Sequence, residues 1–132
     1  MATIKAGSVH TYSTRSFLAS AYWKPRNIVL TSTGELLWFK DNRIKKSLDL
    51  RTCGMDALEV MPWAAMQTAT GPPWRLALTT PATGRVFLAF NFESDMDAWI
   101  VAFSRILGSN DRCKDRVQRV GNNEAPPSNI VC

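Results

Sequence analysis

The residues with the clearest chemical potential are two bases on either side of a proline. Lys24 and Arg26 flank Pro25 in the segment YWKPRNIVL, and an apolar run begins at Ile28. Side chains two apart on a strand leave the same face, so both bases are expected on one side. Arginine offers a phosphate a planar donor fork, and lysine offers a compact point charge. The pair therefore predicts the binding of an anion; a solvated strand end is the alternative.

Further bases lie in two segments near this pair. The segment KDNRIKK brings Lys40 and three more bases close by if the strands on either side of it form a hairpin. A long connection before Tyr22 supplies another. Each base near an anionic membrane is worth on the order of 1 kcal/mol, so several predict a salt-sensitive attachment. The predicted headgroup-binding residues are Lys24, Arg26, Arg15, Arg43, Lys45 and Lys46.

The connection before Tyr22 also carries an apolar pair, Phe17 and Leu18, beside Arg15. Apolar side chains next to bases can enter the headgroup boundary while the charges stay on phosphates. We therefore predict membrane insertion for Phe17 and Leu18. The alternative is that the pair folds back onto the core as a lid.

The charge of the chain is polarised along its sequence. The 132 residues carry a net charge of +5. Residues 1–51 hold nine bases and three acids, whereas residues 52–110 hold three bases and five acids. Such polarity is typical of a protein with an anionic partner, which is a phospholipid, a nucleic acid or an acidic protein. The alternative is a basic composition that serves solubility alone.

Signatures of catalysis are missing from the sequence. It contains no glycine-rich nucleotide loop, no G-x-S-x-G, no H-E-x-x-H and no C-x-x-C. His10 is the single histidine, and no Cys–His cluster has the spacing of a zinc site. We predict a non-enzymatic chain with no catalytic residue, metal or cofactor.

The cysteines and the hydropathy pattern bear on location. Three widely spaced cysteines favour a reducing compartment over a disulfide framework. No apolar run is long enough to span a bilayer, and the start of the chain lacks the apolar region of a secretory signal. We expect a cytoplasmic protein that associates peripherally with membranes.

The elements that must position the bases can be read from the periodicity. Short apolar or alternating segments predict seven strands, at 4–12, 23–32, 36–40, 46–50, 57–63, 74–81 and 84–92. From Glu93 to Leu107 the apolar residues follow helical spacing, with Trp99 facing the core, and Gly108 predicts the helix end. Residues 1–110 then form one domain, and the charged residues 111–132 are expected to be a disordered tail.

In this order, the segments resemble a pleckstrin homology domain over about residues 4–109. IKAGSV, WKPRNIVL, GELLWFK and KKSLDL are similar to the first four strands of the family. The helix ESDMDAWIVAFSRI carries Trp99 where the family places its most characteristic residue. Among the members, the small evectin type looks similar, because it too is a small chain that starts near its domain. The resemblance implies a mainly β fold, a seven-stranded antiparallel bent barrel or sandwich capped by the C-terminal helix.

The resemblance also implies a function. Many such domains bind phosphoinositides or other anionic lipids at the open end of the barrel. Lys24 and Arg26 match the second-strand part of the lipid-binding pattern, whereas Thr11 stands where a first-strand base is typical. We therefore expect a membrane-targeting adaptor for phosphoinositide or phosphatidylserine headgroups. A protein-interaction scaffold of the same fold is the main alternative; nucleic acid is less favoured because no nucleic-acid motif stands out.

Overall fold

The computed structural model describes residues 2–13, 22–61 and 72–121. Strands make up most of this part of the chain, and one long helix follows them. In chain order the strands are β1 (Thr3–Ser13), β2 (Tyr22–Thr31), β3 (Glu35–Lys40), β4 (Arg43–Asp49), β5 (Leu58–Met61), β6 (Trp74–Thr80) and β7 (Gly84–Phe90). A short 3-10 helix (Met55–Ala57) precedes β5, and α1 (Glu93–Gly121) follows β7. The seven predicted strands and the C-terminal helix are confirmed.

All seven strands belong to one antiparallel sheet in the order β4-β3-β2-β1-β7-β6-β5. β1 pairs with β2 along its whole length but with β7 only at His10 and Thr11, so β1 joins two halves of the sheet. Among the described residues β4 and β5 are not paired with each other, so the sheet is open and not a closed barrel. This corrects the expectation of closure and keeps the predicted fold class.

The core fills the space between the inner face of the sheet and α1. Alternate strand residues such as Ile28, Leu36 and Leu76 are fully buried there, as period-two patterning requires. From the helix, Trp99 and Phe103 reach the same cluster, and Trp99 is only 2% exposed. The predicted structural role of Trp99 is therefore confirmed.

The β3–β4 hairpin differs from the prediction. The connection is only two residues long, and both Asp41 (φ 53°) and Asn42 (φ 63°) are left-handed. Such a turn matches the twist of the flanking strands, and Asp and Asn tolerate it better than most residues. Strand pairing consequently begins at Arg43, three residues before the predicted start, and the bases of this segment lie on a strand and not in a loop.

The end of the helix was also predicted wrongly, since α1 continues through Gly108 to Gly121. The Asn110 side-chain amide donates to the carbonyls of Leu50 and Cys53, at 2.7 and 2.8 Å. These bonds tie the added turns to the connection after β4, a tertiary gain that outweighs one helical glycine. The division into a domain and a tail stays a prediction, and residues 122–132 lie outside the described residues.

The two described cysteines, Cys53 and Cys113, differ in their bonding. Cys53 is a free thiol and is buried beneath α1. Cys113, on α1, is disulfide-bonded. The expectation of a reducing compartment stays a prediction.

Candidate anion-binding pocket

One end of the sheet forms a basic pocket of about 650 Å³. It lies where β2 begins, where β3 meets β4, and where β6 turns into β7. Its lining comprises six bases, three hydroxyl-bearing residues and three apolar residues. The bases are Lys24, Arg26, Lys40, Lys45, Lys46 and Arg85, and the other residues are Thr11, Tyr12, Thr83, Trp38, Val86 and Phe87.

The bases of β2 occupy the inner face of the sheet. Lys24 pairs with Thr11 and Arg26 pairs with Val9, and Val9 is buried in the core. Both bases are half-buried and line the pocket, so the prediction that they share one face is confirmed. The Arg26 guanidinium donates a hydrogen bond to the Pro25 carbonyl at 3.0 Å, which keeps its charge at the rim.

Pro25 itself lies inside β2, opposite His10. β3 pairs with β2 only from Asn27 onward, so within the part of the chain that the structure describes the start of β2 has a partner strand on one side alone. Proline is tolerated on such an edge because the missing N–H need not be shared with a second neighbour.

A β-bulge supplies two adjacent lysines to the same pocket. Trp38 pairs with Lys46 and Phe39 pairs with Ile44, which leaves Lys45 as an extra residue in β4. Consecutive residues of a regular strand point to opposite faces, and a bulge removes that alternation. Both Lys45 and Lys46 consequently line the pocket. The Lys46 ammonium lies 5.2 Å from the centroid of the Trp38 ring, a cation–π contact that positions it.

Arg85 is the pocket base that sequence reasoning missed. It follows the β6–β7 turn, where Gly84 has φ +70°, and its guanidinium lies 5.3 Å from the Phe87 ring centroid. It also forms an ion pair with Glu59 of β5 at 2.5 Å. The segment PATGR shows a turn followed by a base. To assign that base to the pocket, however, one must know that the β6–β7 turn lies at the same end of the sheet as the start of β2.

The remaining predicted residues have different positions. Arg43 pairs with Lys40 at the hairpin, is exposed and does not line the pocket. Arg15, Phe17 and Leu18 lie outside the described residues. Four of the six predicted bases are therefore brought together, and their role in binding stays a prediction.

Aromatic packing supports the pocket from the outer side. The Tyr12 ring meets Trp23 edge-on at 5.1 Å between centroids and Phe87 at 6.1 Å. The Arg75 guanidinium lies 5.0 Å from the Trp23 centroid, and its Nε donates to the Pro72 carbonyl at 2.9 Å. Burial lowers the pKa of Arg75, but an arginine stays charged at any physiological pH. These contacts fix Tyr12 and Phe87, which line the pocket.

The electrostatics of the pocket favour an anion. Among the described residues, six bases and no acidic residue line it, and Glu59 is ion-paired to one of those bases, Arg85. Like charges gathered in a concave site of low dielectric focus their field on the space between them. The hydroxyls of Thr11, Tyr12 and Thr83 add hydrogen-bonding groups. The arrangement is suited to a ligand with several phosphate oxygens.

An open seven-stranded antiparallel sheet followed by one C-terminal helix is the architecture of the PH fold. The family model for the PH domain matches residues 3–108, and the chain belongs to this family. PH domains commonly bind phosphoinositides or mediate protein interactions, and they are generally non-catalytic modules. Among the described residues, no helix has both the length and the apolar character needed to cross a bilayer.

Solved structures show the same fold. The C-terminal PH domain of human pleckstrin aligns with a TM-score of 0.65 at 16% identity, covering 82% of this chain and 90% of that one. The same domain in complex with D-myo-Ins(1,2,3,5,6)P5 gives 0.59 at 17% identity, with coverages of 79% and 94%. The pleckstrin homology domain of ArhGAP27 gives 0.58 at 21% identity, with 78% and 98%. A comparison with curated proteins finds no match.

Proposed function

We propose that this chain is a non-enzymatic membrane-targeting adaptor that binds anionic phospholipid headgroups through the basic pocket. The observation that carries the proposal is the convergence of six bases from β2, β3, β4 and β7 on one concave site. About 1 kcal/mol for each base near an anionic membrane is enough for reversible attachment. The protein would then be peripherally bound to a cytoplasmic membrane surface.

Phosphoinositides fit the pocket better than phosphatidylserine does. A headgroup with several phosphates can engage bases from different strands, such as Arg26 of β2 and Lys46 of β4, at the same time. Phosphatidylserine carries a single phosphate and its own ammonium group, which the lysines would repel. The pleckstrin domain solved with an inositol pentakisphosphate supports this reading by the likeness of its fold. Because β1 has Thr11 where a base is typical, the headgroup phosphates would be bound by the bases of β2, β4 and β7.

A lipid series tests the proposal. The chain is sedimented with phosphatidylcholine vesicles alone, with added phosphatidylserine, and with added phosphatidylinositol bisphosphate, each at low and high salt. We expect binding in the order bisphosphate, then serine, then choline, and weaker binding at high salt. A single-stranded oligonucleotide is the competitor that tests the nucleic-acid alternative.

The alternative outcomes are distinct. Failure to sediment with any acidic vesicle at low salt would contradict lipid binding and favour the protein-interaction scaffold. Displacement from vesicles by the oligonucleotide at equal charge concentration would favour a nucleic-acid partner. Equal binding to both acidic lipids would mean that the chain attaches by charge alone. It would contradict the proposed preference for phosphoinositide.

A further inference from the structure

β4 is an edge strand whose side chains are almost all exposed. It is the last strand in the sheet order and, within the described ranges, it pairs only with β3. Of its residues, Leu48 alone is buried. About half of the backbone N–H and C=O groups of such a strand point away from its neighbour and can pair with another extended chain. β4 is therefore a place where a partner can add a strand to the sheet.

The side chains of this edge carry a concentrated positive charge. Arg43, Lys45 and Lys46 lie close together in β4, and the ion pairs formed among the described residues involve none of the three. Lysines on an edge oppose the pairing of like strands. Two copies of β4 would place like charges opposite each other, whereas an acidic strand would place opposite charges there. The charge of the edge thus disfavours a second copy of this chain and favours an acidic partner.

Ile44 gives the same edge an apolar contact. Its side chain is 58% exposed, and it pairs with the half-buried Phe39 of β3. Side chains of paired strands lie next to each other, so an added strand would cover Ile44 with a side chain of its own. A segment in which apolar and acidic residues alternate could place an apolar residue beside Ile44 and acidic residues beside the bases. The edge therefore fits an alternating segment better than a uniformly acidic one.

We propose that β4 binds an extended segment of a partner protein in which acidic and apolar residues alternate, and that this segment adds a further strand to the sheet. Backbone hydrogen bonds supply the affinity, and the bases and Ile44 supply the specificity. The inference goes beyond the proposed function, because it concerns an edge of the sheet and a protein partner. Arg43 and Ile44 do not line the pocket, so they distinguish the edge from it.

A synthetic peptide of the same length as β4, in which glutamate alternates with valine, is the probe. Its fluorescent derivative is titrated with the native chain, and amide hydrogen exchange reports which strand it covers. A second peptide has the same sequence with N-methyl groups on adjacent central residues, which keeps the charge and blocks pairing through either edge. The variants are Arg43→Glu and Ile44→Asp, and Lys24→Glu in the pocket is the charge-matched control. Thermal unfolding checks that each variant is folded.

We expect Arg43→Glu to weaken binding of the unmodified peptide at least about tenfold, because an attractive cross-strand pair becomes repulsive. Ile44→Asp weakens it to a similar extent, since a like charge replaces the apolar contact. Lys24→Glu changes the affinity less than about threefold, because salt screens a charge that lies away from the edge. Hydrogen exchange slows in residues 43–49, and the methylated peptide binds at least about tenfold more weakly.

Equal binding of the two peptides, or no binding of either to the native chain, would overturn strand addition. A loss in Lys24→Glu as large as that in Arg43→Glu would overturn it too, since the peptide would then lie in the pocket. Protection of residues 43–49 that rises with protein concentration in the absence of peptide would make a second copy the occupant and contradict an acidic partner. Failure of the vesicle experiments would remove the proposed function and leave strand addition standing.

Discussion

At the scale of single residues, the pocket depends on how each base is held. Lys46 is held against the Trp38 ring, Arg26 bonds to the carbonyl before it, and Arg85 is engaged by Glu59. The last contact differs from the others because it neutralises part of the charge that a ligand would use. An exposed ion pair is weak in water, so a polyanionic ligand can compete for the guanidinium.

Removing the Glu59 charge should therefore raise affinity for anionic vesicles. We expect Glu59→Gln to strengthen binding about two- to fivefold, since it releases Arg85 and removes one repulsive charge. Glu35→Gln, the same change at the start of β3, serves as the control. The effect should largely vanish in an Arg85→Gln background; an equal gain there would contradict the role given to Arg85.

The exposed ion pair of Asp49 and Arg51 makes a small contribution to stability that depends on pH. The Arg51 side chain binds both carboxylate oxygens of Asp49, at 2.9 and 2.8 Å, and its hydrogen bonds lower the pKa of Asp49 from 3.8 to about 2. A carboxyl whose pKa is lowered by folding stabilises the fold above its unfolded pKa. That contribution is lost as the pH falls through its folded pKa.

The Asp49 contribution should thus be lost between about pH 4 and pH 2, and it is small because the pair is exposed. Urea unfolding as a function of pH measures it. We expect Asp49→Asn to show a shallower loss of stability over this window than the native chain. The exposed Asp56→Asn is the control; if both variants follow the same curve, the pair does not shape acid stability.

At the scale of elements, the helix extension shows how remote partners override a local signal. Gly108 predicted a helix end, and the polar residues after it predicted a tail. The structure instead uses Asn110 to satisfy two carbonyls after β4, and the Asp111 carboxylate accepts the Met55 amide at 2.9 Å. Gly54 leaves room for that carboxylate, because a Cβ at this position would collide with the Asp111 side chain.

Asn110→Ala should consequently destabilise the fold by about 1–3 kcal/mol, since it leaves the carbonyls of Leu50 and Cys53 without their donor. Chemical denaturation measures the change. Ser109→Ala, one residue earlier on the same helix, is the matched control and should have a smaller effect. A loss no larger than that of the control would mean that the added helical turns are not anchored by Asn110.

The sequence predicted elements better than their registers. Alternation located all seven strands, and helical spacing located Trp99, because these patterns are local. The two-residue turn at Asp41 and the bulge at Lys45 depend on cross-strand pairing, which no local pattern reveals. Arg85 joined the pocket only once the strand order placed β7 beside β1. The spacing in β2 thus predicted Lys24 and Arg26, whereas Arg85 required the topology.

At the scale of the whole molecule, the charge is distributed unevenly: bases line the pocket, and several acids of α1 lie outside it. Five of the nine bases in residues 1–51 line the pocket, near the turns before β4 and β7; they are Lys24, Arg26, Lys40, Lys45 and Lys46. The acidic residues Glu93, Asp95 and Asp97 lie on the first turns of α1, away from the pocket lining. A membrane with negative headgroups would orient such a molecule before contact and bind it by the basic end.

Charge reversal at the pocket tests the central claim most directly. Lys24→Glu with Arg26→Glu is compared with Arg105→Glu and Arg112→Glu, two exposed bases of α1 outside the pocket, so both variants have the same net charge. Binding to vesicles with phosphatidylinositol bisphosphate is measured for each. We predict that the pocket variant loses binding by at least about 100-fold, whereas the helix variant loses less than about tenfold. Equal losses, or unchanged binding in the pocket variant, would contradict the assignment of the site.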